Sequence, residues 1–95
     1  MKLRISALAD ADLAHLYSQG IMRFGEKAAD EYISEIRSKF ALLLDFPLSN
    51  VLRDEIKPPV RLQHHKGHVI IYRADAGNVD IVRVLSRFQN WQDET

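Results

Sequence analysis

The chain contains no cysteine, which excludes disulfide staples, a thiolate nucleophile and Cys-ligated zinc, and suits a reducing, cytoplasmic compartment. Only three prolines and four glycines are present, too few for a low-complexity tract. Long apolar runs are missing as well. The longest, Phe40-Ala41-Leu42-Leu43-Leu44, falls far short of the roughly 20 residues a membrane helix needs. Export is not expected, because Lys2 and Arg4 meet Asp10 and Asp12 before a hydrophobic stretch of leader length can form. There is no excess charge of either sign: thirteen Lys and Arg balance thirteen Asp and Glu. No global field then draws the chain to anionic membrane or to nucleic acid, and direct nucleic-acid binding is not expected.

What is present is an ordinary globular composition, 46% apolar and 27% charged over 95 residues. A chain of this size has room for one core, so residues 1–95 are read as a single domain. Zero net charge and limited burial also fit a partner that covers some apolar surface.

The opening Lys2-Leu3-Arg4-Ile5-Ser6 alternates polar and apolar residues, the period of a strand with one buried face. Ser6 then stands where its hydroxyl can cap a helix starting near residue 7, with Asp10 and Asp12 favouring the positive helix end. Ala9, Leu13, Leu16, Tyr17 and Phe24 form its apolar stripe and Gly25 its stop. A second helix opens at Glu26, with Ala29, Tyr32, Ile33, Ile36, Phe40, Leu43 and Leu44 on one face, and runs to about Phe46 before Pro47. So short a connection makes the two helices an antiparallel hairpin. Residues 47–59 read as a surface connection. Three strands follow, over 60–64, 68–73 and 79–85, separated by turns at Lys66-Gly67 and Asp75-Ala76-Gly77-Asn78. The expected fold is α+β, in the order β-α-α-β-β-β, with the helical hairpin packed on a twisted antiparallel sheet.

That order, together with particular residues, resembles the RelE/ParE superfamily of bacterial toxins, and its ParE branch in particular. The carrying residues are Ile5-Ser6 with Ala9, Asp12 and Leu13, Phe24-Gly25-Glu26 with Ala29 and Tyr32, and Phe46-Pro47. Gly67-His68-Val69-Ile70-Ile71-Tyr72-Arg73 is similar to the family's third strand, and Ile81-Val82-Arg83-Val84-Leu85 to its last. The resemblance implies a toxin of a type II toxin–antitoxin module, of the kind that stabilises plasmids. It implies two partners, a ParD-like antitoxin whose disordered C-terminal segment folds on the toxin, and DNA gyrase, inhibited by binding. It implies no cofactor.

The alternative on the same fold is a ribosome-dependent mRNA endoribonuclease of the RelE branch. Departures from the family pattern weigh on that choice. Ser86, Arg87 and Asn90 stand where a His, a Gly and often an Asp are usual. Cleaving relatives usually carry an Arg at the position of Val69 and often a Tyr beyond the last strand, where this chain has Phe88-Gln89-Asn90-Trp91-Gln92-Asp93-Glu94. Activating a ribose 2′-hydroxyl and stabilising a phosphoryl transition state requires several cations and an acid or base. That set is incomplete here, and no catalytic residue is assigned.

Arg61, Arg73 and Arg83 lie one on each C-terminal strand. They either join in a patch for phosphates or a partner's carboxylates, extended by Lys66 and Arg87, or each pairs locally with an acid such as Asp75 or Asp80. Strand parity places Arg83 with Val79, Ile81 and Leu85, which makes it the structural charge and leaves Arg61 and Arg73 to a partner. Phe88 and Trp91 are candidate interface anchors. His64, His65 and His68 straddle the Lys66-Gly67 turn, where side chains splay to different faces, and no metal site is expected.

Overall fold

The structure is a computed structural model that describes residues 2–86. Strand β1 (Lys2–Ile5) leads through Ser6 into helix α1 (Ala7–Phe24). Ser6 does two jobs at that corner: its Oγ accepts from the Ala9 amide at 3.0 Å and donates to the Val82 carbonyl at 2.7 Å, joining the helix cap to the sheet. Helix α2 (Glu26–Asp45) begins after a single residue, Gly25. At φ 91° Gly25 donates to the Ile21 carbonyl and accepts from the Ala29 amide, ending one helix and starting the next in a conformation that L side chains rarely adopt. The helices approach closely at Gly20, where an added Cβ would lie 3.2 Å from Ala29 Cβ.

After Phe46 caps α2, the chain forms β2 (Leu52–Arg53), β3 (Val60–His65), β4 (His68–Asp75) and β5 (Asn78–Ser86). The connection over 47–59 thus contains a two-residue edge strand, paired with β3 through Arg53–Val60 and Leu52–Arg61. No period-2 signal can build up over so few residues, so tertiary pairing alone makes this strand. The sheet order is β1-β5-β4-β3-β2. It is mixed: β1 runs parallel to β5, and every other neighbouring pair is antiparallel, as expected. A parallel pair needs a long crossover, and here everything between β1 and β5 supplies it.

One face of the sheet carries the main core. Ala9 and Leu13 of α1 and Ile36, Phe40 and Leu43 of α2 pack on Ile70, Tyr72, Val79, Ile81 and Val84. The other face gathers Val60, Leu62, Val69, Ile71 and Leu85, with Ile56 and Val82 against them. A bulge shifts the alternation of β5: Tyr72 pairs with Ile81 and Ile71 with Arg83, so Val82 is passed over. Simple parity therefore fails for the last strand, and Leu85 lies on the opposite face from Val79 and Ile81. Phe24, placed on the apolar stripe of α1 by its spacing, is 74% exposed because the hairpin tip extends past the sheet-packed part of the helix. No helix among the described residues is long and apolar enough to cross a membrane.

Candidate functional site

The three arginines go to three places. Arg83 Nε and Nη2 grip the Asp12 carboxylate at 2.8 and 2.9 Å, and Asp12 Oδ2 also accepts from the Val84 amide at 2.9 Å. Both side chains are only 14% exposed. Asp12 reaches this spot because β1 stops pairing at Ile5–Ile81, and the carboxylate takes an edge amide of β5 that a longer strand would have used. Arg61 extends from the register pair Arg61–Tyr72 and donates through Nη1 to the Asn50 carbonyl. Asn50 Nδ2 in turn donates to Gln63 Oε1 and Tyr72 Oη, and Tyr72 Oη donates to the Pro47 carbonyl at 3.2 Å. Arg73 pairs in register with Asp80, whose carboxylate is bound by Arg4 Nε at 2.5 Å and held below its ordinary range chiefly by that bond. The structure does not assemble Arg61, Arg73 and Arg83 into one patch. Arg87, Phe88 and Trp91 lie outside the described residues.

A groove opens where the hairpin tip meets the β3–β4 turn. Its apolar half, about 520 Å³, is lined by Leu16, Gly20, Phe24, Ala29, Tyr32 and Ile33, with Arg23 and His68 on its walls. A more polar half, about 460 Å³, continues along α1 and β5 past Asp12, His15, Gln19 and Arg83. Leu16, Gln19, His68 and Ser86 line both, so the two halves form one trough. Its apolar floor exists because Gly20 and Ala29 leave little side chain where the helices meet.

At the end of the trough, Tyr32 lies between two imidazoles, with ring centroids 5.5 Å from His65 and 5.4 Å from His68. Its hydroxyl lies 2.6 Å from His68 Nδ1, and the Lys66 ammonium stands 5.7 Å from the ring centroid. Glu35, one helical turn beyond Tyr32, binds both Lys66 Nζ and His65 Nε2 at 2.9 Å. Those two bonds, Lys66 first, hold the Glu35 carboxyl below its usual range, and Lys66 is raised in return. Burial raises the Tyr32 phenol against the opposing pull of Lys66, and burial, then His65, lowers His68.

Sequence spacing did not reveal this cluster. Tyr32 falls on the apolar face of α2 and Glu35 off it, although their i, i+3 spacing and the two-residue turn between His65 and His68 are the signals that place all four together. His65 and His68 form the last register pair of β3 and β4 and so share a face, contrary to the splayed arrangement expected for this turn; His64, opposite Val69, alternates away. Among the described residues no group of three or more His, Cys, Asp or Glu is placed to hold a metal ion. Chemically, the trough offers an apolar floor, hydrogen-bond donors and a guanidinium at its rim.

Comparison with known proteins gives this geometry a family. Residues 3–91 match the model of the ParE toxin of the type II toxin–antitoxin system parDE. Toxin ParE1 of Caulobacter vibrioides is 26% identical over 87 residues, covering 92% of this chain and 90% of that protein. A chain from the chromosomal ParDE system of P. aeruginosa shares the fold with a TM-score of 0.79 at 20% identity, over 90% of this chain and 95% of that one. With a family model matched along nearly its whole length, this chain belongs to the ParE toxin family of type II toxin–antitoxin systems.

Proposed function

We propose that the chain is the toxin half of a ParDE-type module, neutralised by a ParD-like antitoxin, and that it inhibits DNA gyrase by binding and catalyses nothing. The observation that carries this reading is the family match over residues 3–91. Two features of the molecule support it. The trough beside the hairpin suits a docked protein segment. Val69, at the position where cleaving relatives of the RelE branch usually carry Arg, is 1% exposed and belongs to the apolar cluster behind the sheet. An arginine there would be buried among Val60, Leu62 and Leu85 without a partner, so that position does not serve phosphate chemistry in this chain.

One observation favours the second reading, a ribosome-dependent endoribonuclease: Tyr32, His65, His68, Glu35 and Lys66 supply acid–base groups in one place. Their cation is already engaged, however, since Lys66 is bound to Glu35. Induced expression in bacteria with separate readouts separates the two. Gyrase poisoning gives a DNA-damage response with translation initially intact. Ribonuclease action gives immediate translation arrest with cut mRNA, and that outcome would overturn the proposal.

A further inference from the structure

On the face of the sheet turned away from the helices, a row of side chains runs from one edge strand to the other. Arg4 of β1 is in register with Asp80 of β5, and Asp80 with Arg73 of β4. At the other edge Arg53 of β2 is in register with Val60 of β3, which the Arg61–Tyr72 pair sets beside Arg73. Val60 and Ile71 belong to the apolar cluster of this face, and Arg73 follows Ile71 onto it by alternation along β4. Three guanidiniums stand in the row, and two carboxylates answer them: Asp80 is gripped by Arg4 through Nε and Nη2, and Glu55 lies 3.7 Å from Arg53. Arg73 is the cation left over. It makes no hydrogen bond or ion pair among the described residues, and its Nε is buried without an acceptor although the residue is partly exposed. Arg61 has the same orphaned Nε, but its Nη1 is engaged by the Asn50 carbonyl. The Arg73 guanidinium is thus partly desolvated with no internal acceptor competing for it, and an acceptor arriving from outside loses less in binding it.

We propose that this face is where the toxin meets its target protein, with Arg73 receiving a carboxylate of that target. This rests on the gyrase reading above and names the surface and the chemistry of the contact. The charge pattern selects the occupant. A nucleic-acid backbone laid along the row meets Asp80 and Glu55 with like charge, on a chain whose net charge of zero does nothing to attract it. A single carboxylate placed between the Arg4–Asp80 pair and Val60 meets the fork of Arg73, and the partly buried Ile56 and Val82 offer apolar contact on the same face. Arg73 lines neither half of the trough, so the two surfaces are separable by mutation.

The test measures binding of the full-length toxin to purified DNA gyrase in the absence of DNA, by calorimetry, beside the toxin's melting temperature. Arg73→Gln removes the charge and keeps most of the stem; affinity falls about tenfold, the loss expected for one hydrogen-bonded charge pair, and the dose that half-inhibits supercoiling rises by the same factor. Its melting temperature stays within about 3 °C of the native value or rises, because no internal bond is lost. Arg73→Lys keeps the charge without the fork and recovers part of the affinity. Neither variant changes affinity for the ParD-like protein encoded beside this chain's gene. Unchanged gyrase affinity in Arg73→Gln overturns the proposal and leaves the gyrase reading standing. A larger fall in melting temperature assigns Arg73 an internal partner and overturns it, as does a loss of affinity confined to the ParD-like protein. Binding of bare duplex DNA that Arg73→Gln abolishes makes the ligand a phosphate backbone and overturns it too. Failure of the native toxin to bind gyrase at all removes the gyrase reading, and this inference with it.

Discussion

Two polar clusters tie the helical hairpin to the sheet, and they differ in what they leave over. Where α1 meets β5, the two oxygens of Asp12 meet two guanidinium donors of Arg83 and the amide of Val84 in a nearly closed site. Where α2 meets the β3–β4 turn, Glu35 binds both His65 and Lys66 and Tyr32 bonds His68 Nδ1, but the second ring nitrogen of His68 has no hydrogen-bond partner among the described residues. A matched cluster stabilises the fold and offers nothing outward; an unmatched one costs some stability and makes recognition available.

Breaking the matched cluster should cost the most. Arg83→Ala leaves the Asp12 carboxylate uncompensated at 14% exposure. That should destabilise by about 2 kcal/mol, less than for a fully buried pair, and lower the melting temperature by roughly 8–16 °C. A double-mutant cycle with Asp12→Ala checks that the loss is shared rather than additive. Gly25→Ala comes next, because Gly25 sits at φ 91°; a loss of about 1 kcal/mol or more by chemical denaturation is expected. Tyr72→Phe removes the hydroxyl that joins Asn50 to the Pro47 carbonyl, and should cost about 1 kcal/mol with no change in partner affinity.

The smallest effect is on pH dependence, and it belongs to the open cluster. Glu35 is depressed when folded, so its contribution is complete above its ordinary value of 4.5 and is lost as pH falls through the folded value. His68 is also depressed, so the unfolded chain binds its proton first and stability declines as pH drops below about 6.5. Melting temperatures between pH 7.5 and 5.5 should fall, and His68→Phe should flatten that slope.

The sequence made the hairpin and the main core legible because helical spacing over Ala29, Ile36, Phe40 and Leu43 is long and regular, and all four are buried. Ser6 and Gly25 were equally readable, since capping chemistry is local. Three features were not. The bulge at Val82 is a property of strand pairing, invisible to alternation within one strand. The parallel β1–β5 pair joins strands at opposite ends of the chain. Asp12, whose local signal is that of a charge favouring a helix end, meets Arg83 across 71 residues, and no spacing rule links them.

The most direct test of the functional account is a supercoiling assay with purified DNA gyrase and this toxin, with and without the ParD-like protein. The account predicts that the toxin blocks supercoiling or traps cleaved DNA at up to low-micromolar dose, and that the antitoxin relieves the block. Undisturbed supercoiling, together with codon-specific mRNA cuts by primer extension in a translating extract, would contradict it.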